Sequence, residues 1–203
     1  MDPTDISRRG VLRTVGAATL ASGAVPTVTA HRGGLKRELA EVRSATAKYN
    51  DPESAYEAGY IVPTEDEDGN PVPMPLEDVV DEAHSVCGMG FHFANVDHFG
   101  SVDRTKPPVL AYGVDDDDNL VLGAVEYVVP KEGPYKESPP DLFAHDGGKE
   151  VWQEDSPEPG LWSLHVWVHN KNPDGVFAPF NPRKQFHPEG CEGGEGDEDG
   201  HNH

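Results

Sequence analysis

The chain has few basic residues. Of its 203 residues, 16 are lysine or arginine and 37 are aspartate or glutamate, which gives a formal net charge of −21 at pH 7. Nucleic-acid binding depends on lysine and arginine side chains that neutralise phosphates, so this composition excludes DNA and RNA as partners. An acidic excess spread over a globular composition is instead typical of halophilic proteins, whose surfaces stay soluble in strongly screening salt.

The sequence also lacks a long apolar run. The mildly apolar run over residues 11–25 is short and rich in glycine, alanine, serine and threonine, whereas a membrane-spanning helix needs roughly 20 strongly apolar residues. This stretch follows the adjacent Arg8 and Arg9 and precedes a small-residue segment that ends at Ala30. That order predicts a twin-arginine export signal cleaved after Ala30. We therefore expect the twin-arginine translocase as a partner, a secreted or extracellular location, and no stable membrane anchor after cleavage.

Composition divides the chain into three parts. Residues 1–30 form the predicted signal peptide, and residues 31–186 are long enough for a single domain with its own core. Residues 187–203 contain mainly glycine, glutamate, aspartate and histidine, with no apolar periodicity. This last part is predicted to be a disordered acidic tail, whose histidines offer a second place for metal ions.

Cysteine is scarce. The sequence contains two cysteines, Cys87 and Cys191. In an exported protein such a pair favours a disulfide bond, which would close a loop of about 105 residues and stabilise the fold by on the order of 4 to 5 kcal/mol in the chain-entropy model. The alternative is that Cys87 is a nucleophile beside a histidine.

Several catalytic motifs are missing. The sequence has no His-Glu-x-x-His, no Gly-x-Ser-x-Gly and no phosphate-binding glycine loop. These absences exclude common signatures of zinc proteases, serine hydrolases and nucleotide-binding proteins. Any chemical site must therefore be assembled from residues that lie far apart in the chain.

Apolar spacing predicts an α+β fold. Helical periodicity predicts helices over residues 35–49, 53–58 and 76–83. Alternating or continuous apolar residues predict strands over residues 89–95, 109–114, 120–129 and 161–170. Proline-rich and acidic segments predict loops over residues 63–75 and 130–160. We expect the N-terminal helices to pack on a mainly antiparallel sheet or a partly open barrel.

Three of the predicted strands each carry one polar residue among apolar neighbours: His92, Glu126 and His165. A buried carboxylate is costly unless it is paired or ligated, and two imidazoles with one carboxylate suit zinc, iron or another divalent ion. We therefore predict a divalent-metal site, with His145 as a further candidate ligand and one position left for water or substrate. The alternative is a structural pair in which Glu126 hydrogen-bonds His165 or Tyr127.

The last predicted strand places His165, Trp167 and His169 on one face by its alternation. Residues four apart on a strand are separated by about 13 Å, so His165 and His169 cannot bind the same ion if the stretch is extended. Two other groups have simpler interpretations than ligand binding. The four aspartates of residues 115–118 lack the ligand spacing of a calcium loop and predict a solvated turn. The three tryptophans are expected to pack in the core rather than to stack on sugars.

Several phrases together resemble a family of exported bacterial and archaeal proteins to which no activity is assigned. The similar segments are residues 45–49, 58–60, 87–93, 125–130, 164–167, 172–177 and 181–182, with a late Cys191. In the relatives the phrase containing His92 continues into Asn-Pro, whereas this chain has Asn95-Val96. The resemblance covers most of residues 35–191 and implies no reaction.

Taken together, these patterns predict an acidic extracytoplasmic protein that binds a divalent metal ion. Whether it is an enzyme stays open at this point. The alternative is a non-catalytic ligand-binding or structural module without a metal.

Overall fold

The computed structural model describes residues 34–66, 70–83, 85–144 and 149–187. Within these ranges, short helices accompany a five-stranded and a two-stranded antiparallel sheet. The predicted α+β class is confirmed. The larger sheet is open, with a strand at each edge, and does not close into a barrel.

The helices lie mostly in the first half of the described chain. Helix α1 spans Gly34–Thr46 and continues as a 3₁₀ turn over Ala47–Asn50, α2 spans Pro52–Glu57, and α3 spans Val79–Glu82 after a 3₁₀ turn at Leu76–Asp78. The Asp51 side chain accepts a hydrogen bond from the backbone N–H of Glu53, and Pro52 occupies the first helical position. These are the cap and proline positions that begin a helix, and the three predicted helices are confirmed.

The strands follow the predicted order with two additions. The small sheet pairs β1 with β2, and the large sheet has the order β3-β4-β5-β7-β6. Their bounds are Pro63–Glu65 for β1, Pro71–Pro73 for β2, Phe91–Ala94 for β3, Val109–Val114 for β4, Leu120–Pro130 for β5, Gln153–Glu154 for β6 and Leu161–Val166 for β7. The four strands predicted in the large sheet are confirmed, but the last one ends at Val166 and not at residue 170.

The expectation of a loop over residues 63–75 was wrong in part, because β1 and β2 pair there. Prolines are tolerated where a strand needs no ladder N–H, as at the ends and edges of a small sheet. Within residues 130–160, the short strand β6 was also missed. Leu142 and Phe143 of this segment are buried in the main core, with exposed fractions of 1% and 0%.

One face of the large sheet carries the main core. Its side chains alternate along the strands and pack with residues of α1, including Leu35 and Val42. The strand residues of this core are Phe91, Phe93, Leu110, Tyr112, Leu122, Val125, Tyr127, Leu164 and Val166. Their burial removes a large apolar area from water and is the main source of stability.

The opposite face buries two smaller apolar clusters. The first contains Ala111, Ala124, Trp167 and Phe186. The second contains Val109, Val128 and Leu161, with Ala94 and Phe99 packed against it. These clusters share a face of the sheet with the three predicted ligands, because cross-strand partners point to the same side. The pairs are Ala111 with His92, Val109 with Glu126, and Glu126 with His165.

A bulge in β5 shapes this second face. Ala111 pairs with Ala124 and Tyr112 pairs with Leu122, so Gly123 is the extra residue. A Cβ atom at Gly123 would lie 2.4 Å from the Phe186 ring, which explains why glycine occupies the position. The Gly123 carbonyl accepts hydrogen bonds from the backbone N–H groups of His169 and Asn170.

In the described ranges, no helix has the length and apolar character needed to cross a membrane. The predicted signal peptide with Arg8, Arg9 and Ala30, and the tail beyond His187, lie outside the described residues. Export and cleavage therefore remain predictions.

Candidate metal centre

Three strands bring His92, Glu126 and His165 together on the second face of the sheet. His92 is on β3, Glu126 on β5 and His165 on β7. Glu126 and His165 are direct cross-strand partners, while β4 separates β3 from β5. The His92 side chain therefore reaches over β4, where its own cross-strand partner is the small Ala111. The predicted convergence of these three residues is confirmed, and together they can hold a metal ion.

The facing atoms form a nearly regular triangle. The Nε2 atoms of His92 and His165 are 3.4 Å apart. The Oε2 atom of Glu126 is 3.7 Å from Nε2 of His92 and 3.9 Å from Nε2 of His165. A triangle with these sides has a circumradius of about 2.1 Å, which matches the bonds of Zn²⁺ to histidine nitrogen and carboxylate oxygen.

These distances are long for a structural pair. A hydrogen bond between a charged nitrogen and a carboxylate oxygen is about 2.7–2.9 Å long, whereas both histidine-to-Glu126 distances exceed that range. The Tyr127 hydroxyl donates instead to the Arg104 carbonyl at 2.7 Å, and its ring contacts the Phe143 ring of the main core on the other face of the sheet. Glu126 is therefore directly hydrogen-bonded to neither His165 nor Tyr127, the two partners of the predicted structural pair.

The three side chains differ in their access to solvent. The side chain of His92 is 24% exposed, against 6% for Glu126 and 1% for His165. His92 is therefore the member of the triad that is most in contact with solvent. The two small apolar clusters flank the rest of the site and keep its dielectric low.

Burial shifts the protonation of all three residues. Desolvation lowers the pKa of His165 to about 4. Desolvation also lowers the pKa of His92, although the charge of Glu126 opposes this shift. The pKa of Glu126 is raised by burial, with His92 acting in the opposite direction. At neutral pH both imidazoles are neutral, which is the form that binds metal ions.

The orientation of each ring has its own cause. The His92 ring hydrogen-bonds the backbone of Gly90, which has a positive φ of 85°. The His165 ring lies nearly parallel to the indole of Trp167, at an interplanar angle of 19° and a centroid distance of 6.2 Å. The indole N–H of Trp167 donates to the Ala178 carbonyl at 2.7 Å. The two rings are thus held by their surroundings before any ligand is present.

One buried polar atom beside the cluster, Nδ1 of His165, lacks a hydrogen-bond partner among the described residues. Unpaired polar atoms are rare in protein interiors and often mark sites that take a polar ligand. The Ser163 hydroxyl lies beside the Glu126 carboxylate and opposes the rise in its pKa. Ser163 was missed in the sequence, although it lies two residues before His165 and period-two alternation places it on the same face.

The other candidates do not join the cluster. His169 was expected on the same face as His165, and this was wrong because β7 ends at Val166. The backbone N–H of Val168 donates to the Val166 carbonyl, and this tight turn redirects the chain. His169 then contacts the hydroxyl of Thr46 at 2.7 Å, at the end of helix α1.

Two residues of the predicted metal site and disulfide bond, His145 and Cys191, lie outside the described residues. His145 lies outside the described residues, so its part in the site stays a prediction. Cys87 is described and exposed, but Cys191 lies outside the described residues. The disulfide bond between them therefore also stays a prediction.

The aspartate turn and the tryptophans have structural contacts. Oδ1 of Asp115 accepts hydrogen bonds from the backbone N–H groups of Asp117 and Asn119, each at 2.9 Å, which fixes the turn between β4 and β5. The indole N–H of Trp152 donates to Glu150, and that of Trp162 donates to the Tyr135 carbonyl. These contacts account for the residues without a calcium ion or a sugar.

Comparison with known proteins gives no further guidance: no family model, curated protein or solved structure matches this chain significantly. The resemblance to exported bacterial and archaeal proteins therefore stays a prediction from the motifs. The function has to be argued from the site itself.

Proposed function

We propose that this chain is an exported protein that binds a divalent transition-metal ion through His92, Glu126 and His165. The triangle of Nε2, Nε2 and Oε2 atoms supports the proposal, because with sides of 3.4, 3.7 and 3.9 Å it contains a point about 2.1 Å from all three atoms, the length of a zinc–ligand bond. The extracytoplasmic location is supported by the sequence signal with Arg8 and Arg9.

The energetics of the face support the same proposal. Placing two imidazoles and a carboxylate between apolar clusters costs free energy, since each loses its hydration. Binding to an ion recovers that free energy, because the ion replaces the lost hydrogen bonds with ligand bonds. The distances from Glu126 to the two histidines, 3.7 and 3.9 Å, exceed those of charge-assisted hydrogen bonds, which leaves the carboxylate without a direct hydrogen bond to either imidazole.

The site has the ligand number of a reactive centre. Structural zinc sites are closed by four protein ligands, whereas catalytic sites use three and leave a position for water or substrate. Among the described residues, three candidate ligands converge here. The protein thus combines a metal ion with access for a small exogenous ligand beside His92.

The test is elemental analysis and metal titration of the purified full-length protein. We expect one tightly bound ion per chain in the wild type, and a loss of affinity of at least a hundredfold in Glu126→Gln and His165→Gln, because each substitution removes a ligand. His169→Gln is the matched control, since it alters a half-buried histidine four residues from His165 without touching the cluster.

The tail needs its own control. His201→Gln combined with His203→Gln removes two tail histidines from the full chain, and this double variant should keep the stoichiometry of the wild type. If Glu126→Gln binds metal as tightly as the wild type, or if the wild type binds no divalent metal, the proposal is wrong.

A further inference from the structure

The sides of the ligand triangle carry information about the coordination number of the ion. With metal–ligand bonds of about 2.1 Å, neighbouring ligands are about 3.0 Å apart at the right angles of an octahedron and about 3.4 Å apart at the tetrahedral angle. The observed sides are 3.4, 3.7 and 3.9 Å. None is shorter than the tetrahedral value.

The cost of adjusting the triangle differs between the two geometries. For a tetrahedral ion, one side already fits and the others must shorten by at most about 0.5 Å. For an octahedral ion, every side must shorten, by about 0.4 to 0.9 Å. His92 and Glu126 lie on strands separated by β4, whose spacing is set by backbone hydrogen bonds. The sheet therefore resists the larger contraction.

The surroundings limit the number of exogenous ligands independently. An octahedral ion with three protein ligands needs three more donors, usually water molecules. The clusters around Trp167 and Val109 cover the site on both sides, and His92 is the one member of the triad with substantial exposure, at 24%. Three water molecules between apolar clusters would have few hydrogen-bond partners, whereas a single one needs fewer and can lie on the solvent side of the triad, next to His92.

From these two observations we propose that the centre selects a four-coordinate ion, with Zn²⁺ as the preferred one, and leaves a single position for water or a small anion. This inference rests on the proposed function. It goes further because it predicts which ions the site prefers. Zn²⁺ and Co²⁺ accept tetrahedral ligation and should bind more tightly than Ni²⁺ and Mn²⁺, which favour six-coordinate or square-planar geometries. A metal-bound water in a dry three-ligand zinc site is the usual reagent of hydrolytic reactions.

Competition between Co²⁺ and Ni²⁺ gives the sharpest test. Flexible sites bind Ni²⁺ more tightly than Co²⁺, in the order general for divalent ions of the first transition row. We expect the full-length protein to reverse that order, with a Kd for Co²⁺ at least tenfold below that for Ni²⁺. The Co²⁺ form should show the intense visible absorption of four-coordinate cobalt, and azide should shift these bands by taking the open position.

The outcomes separate this inference from the proposed function. Weak six-coordinate Co²⁺ absorption, or a Kd for Ni²⁺ equal to or below that for Co²⁺, would overturn the four-coordinate centre and leave metal binding intact. Failure of Zn²⁺, Co²⁺ and Ni²⁺ to bind at all would overturn both. Glu126→Gln should abolish the cobalt bands while His169→Gln keeps them, which ties the spectrum to this site.

Discussion

One face of the large sheet buries aromatic and aliphatic side chains beneath helix α1, whereas the other buries two histidines and a glutamate between two small apolar clusters. Adjacent residues of the same strand serve the two faces: Phe93 and Tyr127 point to the main core, and their neighbours His92 and Glu126 form the triad. Alternation along a strand makes this division possible without any change of backbone.

The difference between the two faces explains how the fold tolerates a buried polar cluster. Native proteins are stable by only about 5–15 kcal/mol, so buried charges on one face must be offset elsewhere. The larger core supplies that offset through apolar burial. Substitutions on the two faces should therefore change stability in opposite directions.

Phe93→Ala should have the largest effect on stability. The ring is 0% exposed and contacts Tyr112 and Tyr56 at centroid distances of 4.5 and 5.3 Å. Its loss leaves a cavity and should lower the free energy of unfolding by about 3–5 kcal/mol, measured by urea denaturation. Val96→Ala, at a side chain that is 58% exposed, is the control and should stay within about 0.5 kcal/mol of the wild type. A change below 1 kcal/mol for Phe93→Ala would refute the assignment of the main core.

Glu126→Leu should act in the opposite direction when metal is removed. The substitution replaces a buried carboxylate with an apolar side chain, and we expect the metal-free protein to gain about 1–3 kcal/mol in urea denaturation with chelator present. Tyr127→Leu, at the next residue but on the other face, should destabilise because the Arg104 carbonyl loses its hydrogen bond. If the Glu126→Leu protein were less stable than the metal-free wild type, the buried carboxylate would not be a cost to stability, and the proposed difference between the two faces would be wrong.

His169→Gln tests a smaller, pH-dependent effect at helix α1. Burial, with a contribution from Arg43, lowers the pKa of His169 to about 4 from an ordinary 6.5. The Thr46 hydroxyl donates to the Val42 carbonyl and so accepts from the neutral His169 ring. A lowered histidine pKa gives stability that is complete above about pH 6.5 and is lost as the pH falls towards 4.

The expected difference is modest. Between pH 7 and pH 5, the free energy of unfolding of His169→Gln should fall by about 1 kcal/mol less than that of the wild type, both measured by urea denaturation with chelator. The free energy of unfolding of His169→Gln should still decrease somewhat between pH 7 and pH 5, because the pKa of His165 is also lowered to about 4. Parallel pH profiles for the two proteins would show that His169 does not titrate in this window.

Much of the site could be predicted from local patterns. His92, Glu126 and His165 each interrupt an apolar strand, and alternation alone indicates that they are buried on defined faces. The adjacency of their strands could not be predicted, because β5 pairs with β7 across the intervening residues 131–160. Such long-range pairing depends on the packing of the whole domain rather than on neighbouring residues.

Two local errors have backbone causes. The sequence of residues 161–170 alternates throughout, yet the strand ends at Val166 because the N–H of Val168 turns back to the Val166 carbonyl. The bulge at Gly123 was equally hidden, since an extra residue leaves the apolar pattern of β5 almost unchanged. The turn after Val166 directs His169 away from the second face. The bulge places Gly123 beside the Phe186 ring, and the missing side chain of Gly123 lets that ring pack on this face.

The position of His92 at the margin of the sheet has a further consequence. Strand β3 is an edge strand, held by β4 on one side and by an isolated bridge between Ile61 and Ala94. Exposed margins of this kind are the places where foreign strands attach and aggregation begins. An ion bound to His92, Glu126 and His165 would hold this edge strand against the interior of the sheet. The solubility of the protein would then depend on whether the ion is bound.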